Sequence, residues 1–215
     1  MRNITKIREP RSLTEYRAAN PTDYNGYPDK DALRASLVAE QRSVCCYCLA
    51  RIRAEIGSVR IEHWQSHSEH PDLRLVYGNL LGACMGGERE RERTRRTDHH
   101  CDVYKAESYL SRNPANLMHN VQALVRFLPD GTVTSTNDVF NTELNTVLNL
   151  NHPFLVNSRR GVLLGLQKTL EKRGTLTRQD WERLHGEWTG LAHAGELQPF
   201  CSVVVYWIEK KLARI

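Results

Sequence analysis

The chain has 215 residues, 40% hydrophobic and 26% charged, a balance that supports one substantial core or two small ones and excludes a membrane protein or wholesale disorder. No stretch approaches the roughly eighteen uninterrupted apolar residues of a spanning helix, and the first ten residues lack the apolar centre of a secretory signal, so the expected location is the cytoplasm. The net charge of +5, from 30 basic and 25 acidic residues, is compatible with a polyanionic partner without requiring one.

Residues 1–29 read as an irregular arm, punctuated by Pro10, Pro21, Gly26 and Pro28 and carrying Tyr16, Tyr24 and Tyr27. From Asp29 to Arg42, Leu33, Leu37 and Val38 recur at helical spacing behind Asp29 or Asp31 as a cap, which predicts a helix leading to Cys45. Residues 57–64 alternate after Gly57-Ser58 and predict a short strand with Val59, Ile61 and His63 on one face. A polar loop then leads to LRLVYGNLLGAC, and residues 85–100, in which Glu alternates with Arg, have almost nothing to bury and predict an exposed loop.

After Cys101 the spacing predicts a helix that Asn113-Pro114 stops, followed by a hairpin around Pro129-Asp130-Gly131. Beyond residue 137 helical periodicity predicts helices near 138–149, 154–173, 177–193 and 199–213. The last presents Phe200, Val203, Val204, Trp207, Ile208 and Leu212 on one stripe. The expected class is α+β: an N-terminal arm and helix (1–44), a central unit (45–113), and a hairpin with a helical C-terminal subdomain (114–215).

Six cysteines in a reducing compartment are metal ligands or core residues before they are disulfides. Cys45 and Cys48 form a C-x2-C pair that brings two thiolates onto one tetrahedral ion, and Cys84 with Cys101 supplies a second pair. Together they predict a closed, structural Zn2+ site. Cys46 competes with Cys45 at a tighter spacing, His99 or His100 is an alternative to Cys101, and unrelated buried thiols are the competing reading. Cys201, within the last apolar helix, reads as core.

Between the cysteine pairs stand Glu62-His63, closing the predicted strand, and Asn79; Cys101-Asp102-x-x-Lys105 opens a helix. Over roughly residues 45–105 this order resembles the HNH endonucleases of the zinc-stapled type, whose active site is a ββα-metal finger. The segments CCYC, IEHW, YGNLLGACMGG and CDVYK more closely resemble the PtuB-like HNH subunit of Septu-type and retron-associated anti-phage defence operons. That narrower resemblance implies an ATPase partner subunit and, in a retron, a reverse transcriptase with its msDNA.

Hydrolysis of a phosphodiester needs an activated water and charge neutralisation at the phosphate. A neutral His63 suits the general base, and Asn79 would hold the imidazole or its loop in register. A divalent ion, Mg2+ or a similar cation, would act as Lewis acid and template between Glu62 and Asp102, carboxylates being suited to it. A regular strand points Glu62 away from His63, so the resemblance implies a twist or bulge there. The family usually has His or Asn at the helical position that Asp102 or Lys105 must fill here. Lys105 suits a phosphate contact, as do Arg93, Arg95 and Arg96 in the charged loop with Arg89 and Arg91, although such runs commonly form solvated loops. The function expected is that of a DNA endonuclease, with RNA such as tRNA as an alternative substrate and a non-catalytic zinc-finger scaffold as an alternative role.

Overall fold

In the computed structural model, which describes residues 1–88, 95–190 and 195–215, the arm is not irregular throughout: Arg11–Ala19 form helix α1. The Pro10 carbonyl accepts the first turn's amides from Leu13 and Thr14, and Leu13 is the one fully buried side chain of an otherwise polar helix. A single apolar anchor leaves no periodicity to read. Helix α2, Lys30–Glu40, starts where Asp29 accepts the Ala32 amide at 3.3 Å and buries Leu33, Leu37 and Val38. Leu13, Tyr27, Leu33 and Leu37 pack with Leu75, Tyr77 and Leu80, so the arm is fixed against the segment leading into the second strand.

Strand β1, Arg60–His63, pairs antiparallel with β2, Leu80–Ala83, in unbroken register from Arg60↔Ala83 to His63↔Leu80. Gln41, just beyond α2, completes the edge of this small sheet: its side-chain amide donates to the Gly82 carbonyl at 2.7 Å and its oxygen accepts the Gly82 amide at 2.7 Å. A Cβ at position 82 would lie 3.2 Å from the Gln41 nitrogen, so glycine permits this approach.

Helix α3 is a single turn, Cys101–Lys105, and does not run on to Asn113 as the spacing predicts. Ala106 turns the chain at φ +49°, Leu110 enters the core, and Ser111 donates through both amide and hydroxyl to the Glu143 carboxylate. These tertiary bonds outweigh local helix propensity. A short helix α4, Val121–Leu124, leads into the predicted hairpin, β3 (Val125–Phe127) with β4 (Val133–Ser135). At its tip Gly131, φ +93°, lies so close to the Val156 carbonyl that a Cβ would approach within 2.3 Å.

Helices α5 (Asp138–Thr146), α6 (Pro153–Glu171), α7 (Arg178–Thr189) and α8 (Cys201–Leu212) follow the predicted order. Gly190 at φ +75° ends α7, and residues 191–193 of the predicted third C-terminal helix lie outside the described residues. Two apolar cores dominate. One joins Met1 and Ile4 to the cysteines, the hairpin and α5, crossing the boundary expected at residues 113 and 114. The other lies among α6, α7 and α8, around Leu163, Leu184, Val204 and Ile208. The architecture is thus mixed α and β, with two small two-stranded sheets among the described residues. Among the described residues no helix is long and apolar enough to cross a membrane.

Candidate functional site

The C-x2-C turn is built by backbone geometry. The Cys45 amide donates to the Ala50 carbonyl, the Leu49 amide to Cys45, and Leu49 sits at φ +66° to close the turn. Cys84 arrives directly after β2, and Cys101 opens α3 at φ +58°, its amide held by the Leu148 carbonyl at 2.8 Å. The sulfurs of Cys45, Cys48, Cys84 and Cys101 all lie within 4.8 Å of one another. Cys45 and Cys101 are 4.0 Å apart and Cys48 and Cys84 3.7 Å. A tetrahedral ion with metal–sulfur bonds of about 2.3 Å requires sulfurs about 3.8 Å apart, so the four buried thiols fit zinc. The amides of Cys84 and Ala50 point at the sulfurs of Cys45 and Cys48 from 3.3 and 3.4 Å.

Cys46 is buried but stands outside this group, and Cys201 lies in a separate apolar cluster with Val44, Leu49 and Leu197. His100 is adjacent to the knot, with Nδ1 3.2 Å from the Cys101 sulfur, but the fourth ligand position belongs to Cys101.

The twist expected between Glu62 and His63 is absent. Both side chains are buried although they leave β1 on opposite faces, because the strand is covered from both sides. On one face lie Tyr47, Asp102 and Lys105; on the other, Tyr24 and His67 from the arm and the polar loop.

Glu62 Oε1 accepts the Tyr47 hydroxyl at 2.7 Å and lies 3.0 Å from the Lys105 ammonium. Burial, with the Asp102 carboxyl near enough to hydrogen-bond, pushes Glu62 well above the usual carboxylate range. Asp102 is oriented by Arg60, whose Nε donates to Oδ2 at 2.7 Å while the same guanidinium reaches Glu88. Lys105, expected to face a phosphate, is completely buried, and its ammonium also donates to the His63 carbonyl at 3.1 Å. Its charge serves the fold of the site; it is not presented to solvent.

His63 Nε2 is 3.0 Å from the Arg74 carbonyl. A carbonyl only accepts, so Nε2 carries the proton and Nδ1 remains the basic nitrogen. Burial lowers its pKa to about 4, leaving the imidazole neutral near pH 7. The Tyr24 ring stands edge-on at 4.5 Å. Asn79 clamps the loop that carries Arg74: Oδ1 accepts the Gln65 amide at 2.7 Å, and Nδ2 donates to the Gln65 and Leu73 carbonyls, both at 3.1 Å.

Arg95 and Arg96 are exposed on the approach to α3, where Arg96 stacks over Tyr104 at 5.0 Å; Arg93, Arg89 and Arg91 lie outside the described residues. Sequence reasoning missed Tyr47, Arg60, Tyr24 and Arg74. Tyr47 carried a signal by its place between the cysteines, whereas Arg74 contributes only a backbone carbonyl. Compared with known proteins, the chain matches no protein family, and no curated protein matches its sequence.

Proposed function

We propose that the chain is a metal-dependent endonuclease of the HNH type that hydrolyses DNA phosphodiester bonds, with His63 as general base and Glu62 and Asp102 as the cation-binding pair. The observation that supports this reading is a single strand–strand–helix unit that carries a neutral imidazole of fixed tautomer on one face of β1 and two neighbouring carboxyls, those of Glu62 and Asp102, on the other. A buried carboxylate at Glu62 and a partly exposed one at Asp102 this close repel one another, and a dication relieves that repulsion. Mg2+ commonly takes one or two protein carboxylates and completes its shell with water and phosphate oxygens, so the donor set suits it. When bound, such an ion supplies Lewis acidity at the phosphate and at the departing oxygen.

The protein's part follows from its own groups. Nδ1 of His63 takes a proton from water as the oxygen attacks phosphorus and the bond from phosphorus to the leaving oxygen breaks, that oxygen taking its proton from solvent, and the Arg74 carbonyl stabilises the imidazolium through Nε2–H. Lys105 and Asn79 hold the two ends of the segment on which His63 sits, and Arg95 and Arg96 supply phosphate contacts at the mouth of the site. The zinc knot is structural, since four thiolates leave no open position.

The resemblance of CCYC, IEHW and CDVYK to PtuB-like subunits extends the proposal to an effector of an anti-phage defence complex with an ATPase partner. The test is incubation of the chain, alone and co-purified with that partner, with plasmid DNA and with tRNA, in Mg2+ and in EDTA. Mg2+-dependent DNA nicking supports the reading, cleavage confined to tRNA moves the substrate to RNA, and inertness towards both overturns it.

A further inference from the structure

The two carboxylates of the proposed cation site are each attached to the zinc knot. Asp102 is the residue after Cys101, joined to a sulfur ligand by one peptide bond. Glu62 is reached from the other side: Tyr47 lies between Cys45 and Cys48, is fully buried, and donates its hydroxyl to Glu62 Oε1 at 2.7 Å. A buried phenol needs an acceptor, and a backbone carbonyl would satisfy it as well as a carboxylate. Here the acceptor is the acid of the site, and the Lys105 ammonium meets the same oxygen at 3.0 Å. Two donors on one oxygen leave the carboxylate little freedom to rotate.

We propose that Tyr47 is a positioning residue that aims Glu62 at the divalent cation and makes cation affinity depend on the thiolate knot that holds the tyrosine. The inference rests on the reading of Glu62 and Asp102 as cation ligands. With the four sulfurs gathered on zinc, the turn carrying Tyr47 is rigid and its hydroxyl is fixed in space. With the knot open, Glu62 loses that donor and the pair loses its relative placement. Groups one bond removed from a metal ligand commonly change metal affinity by about 10–100-fold when removed.

The experiment is an electron paramagnetic resonance titration with Mn2+ of zinc-loaded protein, unaltered and as Tyr47→Phe, with zinc content and melting temperature measured on the same samples. Tyr47→Phe is expected to keep its zinc and to bind Mn2+ about 10–100-fold more weakly. Glu62→Asp, which keeps the charge but withdraws the acceptor, breaks the same bond from the other side and carries the same expectation. Mn2+ affinity in zinc-loaded Tyr47→Phe equal to that of the unaltered protein overturns the role of Tyr47 and leaves the nuclease reading standing. Should the unaltered protein bind no Mn2+, the cation site itself falls, and the inference with it.

Discussion

The ammonium of Lys105 donates to the backbone carbonyl of His63 across 3.1 Å, and no part of that lysine reaches solvent. One buried cation thus joins the only turn of α3 to the end of β1 while neutralising Glu62 beside it. Removing one member of a buried ion pair strands the other, at about 3–5 kcal/mol. Lys105→Met, which keeps most of the stem, is expected to lower the unfolding free energy by about that amount in urea titrations. Unchanged stability would mean that the ammonium does not hold these elements together.

The thiolate knot makes a second, sharper prediction. Structural zinc binding contributes on the order of 10 kcal/mol, and losing a third of that lowers the melting temperature of a chain this size by about 10 °C. Cys48→Ser is expected to lose its zinc and to show at least that drop. Cys46→Ser, altering a buried thiol outside the group, is expected to retain one zinc per chain by elemental analysis. Zinc lost equally from both variants would mean that the ligand set is wrong.

Asn79 makes three hydrogen bonds that close the loop behind His63, two of them with Gln65. Asn79→Ala leaves the partner groups of a partly buried loop unsatisfied, at about 1–3 kcal/mol for each group that water cannot reach. Amide exchange at Gln65 should accelerate at least tenfold while exchange in α8 stays unchanged. Equal protection at Gln65 in both proteins would remove Asn79 from the clamp.

How much of this was legible in the sequence depended on whether a residue acts through its type or through its surroundings. Cysteine spacing is a property of type, and the four thiols converge as their pattern implied. The apolar stripes of α2 and α8 were likewise visible because their burial is periodic. The early end of α3 was not, because Ala106 is an ordinary helix former and the bonds that turn the chain come from Glu143, far along the sequence. The resemblance implied a distorted strand that would turn Glu62 towards His63; β1 stays regular, so the two side chains leave on opposite faces, with Tyr24 of the arm covering the His63 face. The surroundings of Lys105 also decided its role, since the same residue type at an exposed position would have suited a phosphate.

The central claim is that His63 is the base of a phosphodiester hydrolysis, and it is tested most directly by comparing unaltered protein with His63→Ala on plasmid DNA and tRNA in Mg2+. General-base catalysis contributes about 10²–10⁴-fold, so the variant is expected to cleave at least a hundredfold more slowly with zinc content and melting temperature preserved. Cleavage by zinc-loaded, folded His63→Ala at the rate of the unaltered protein would contradict the account.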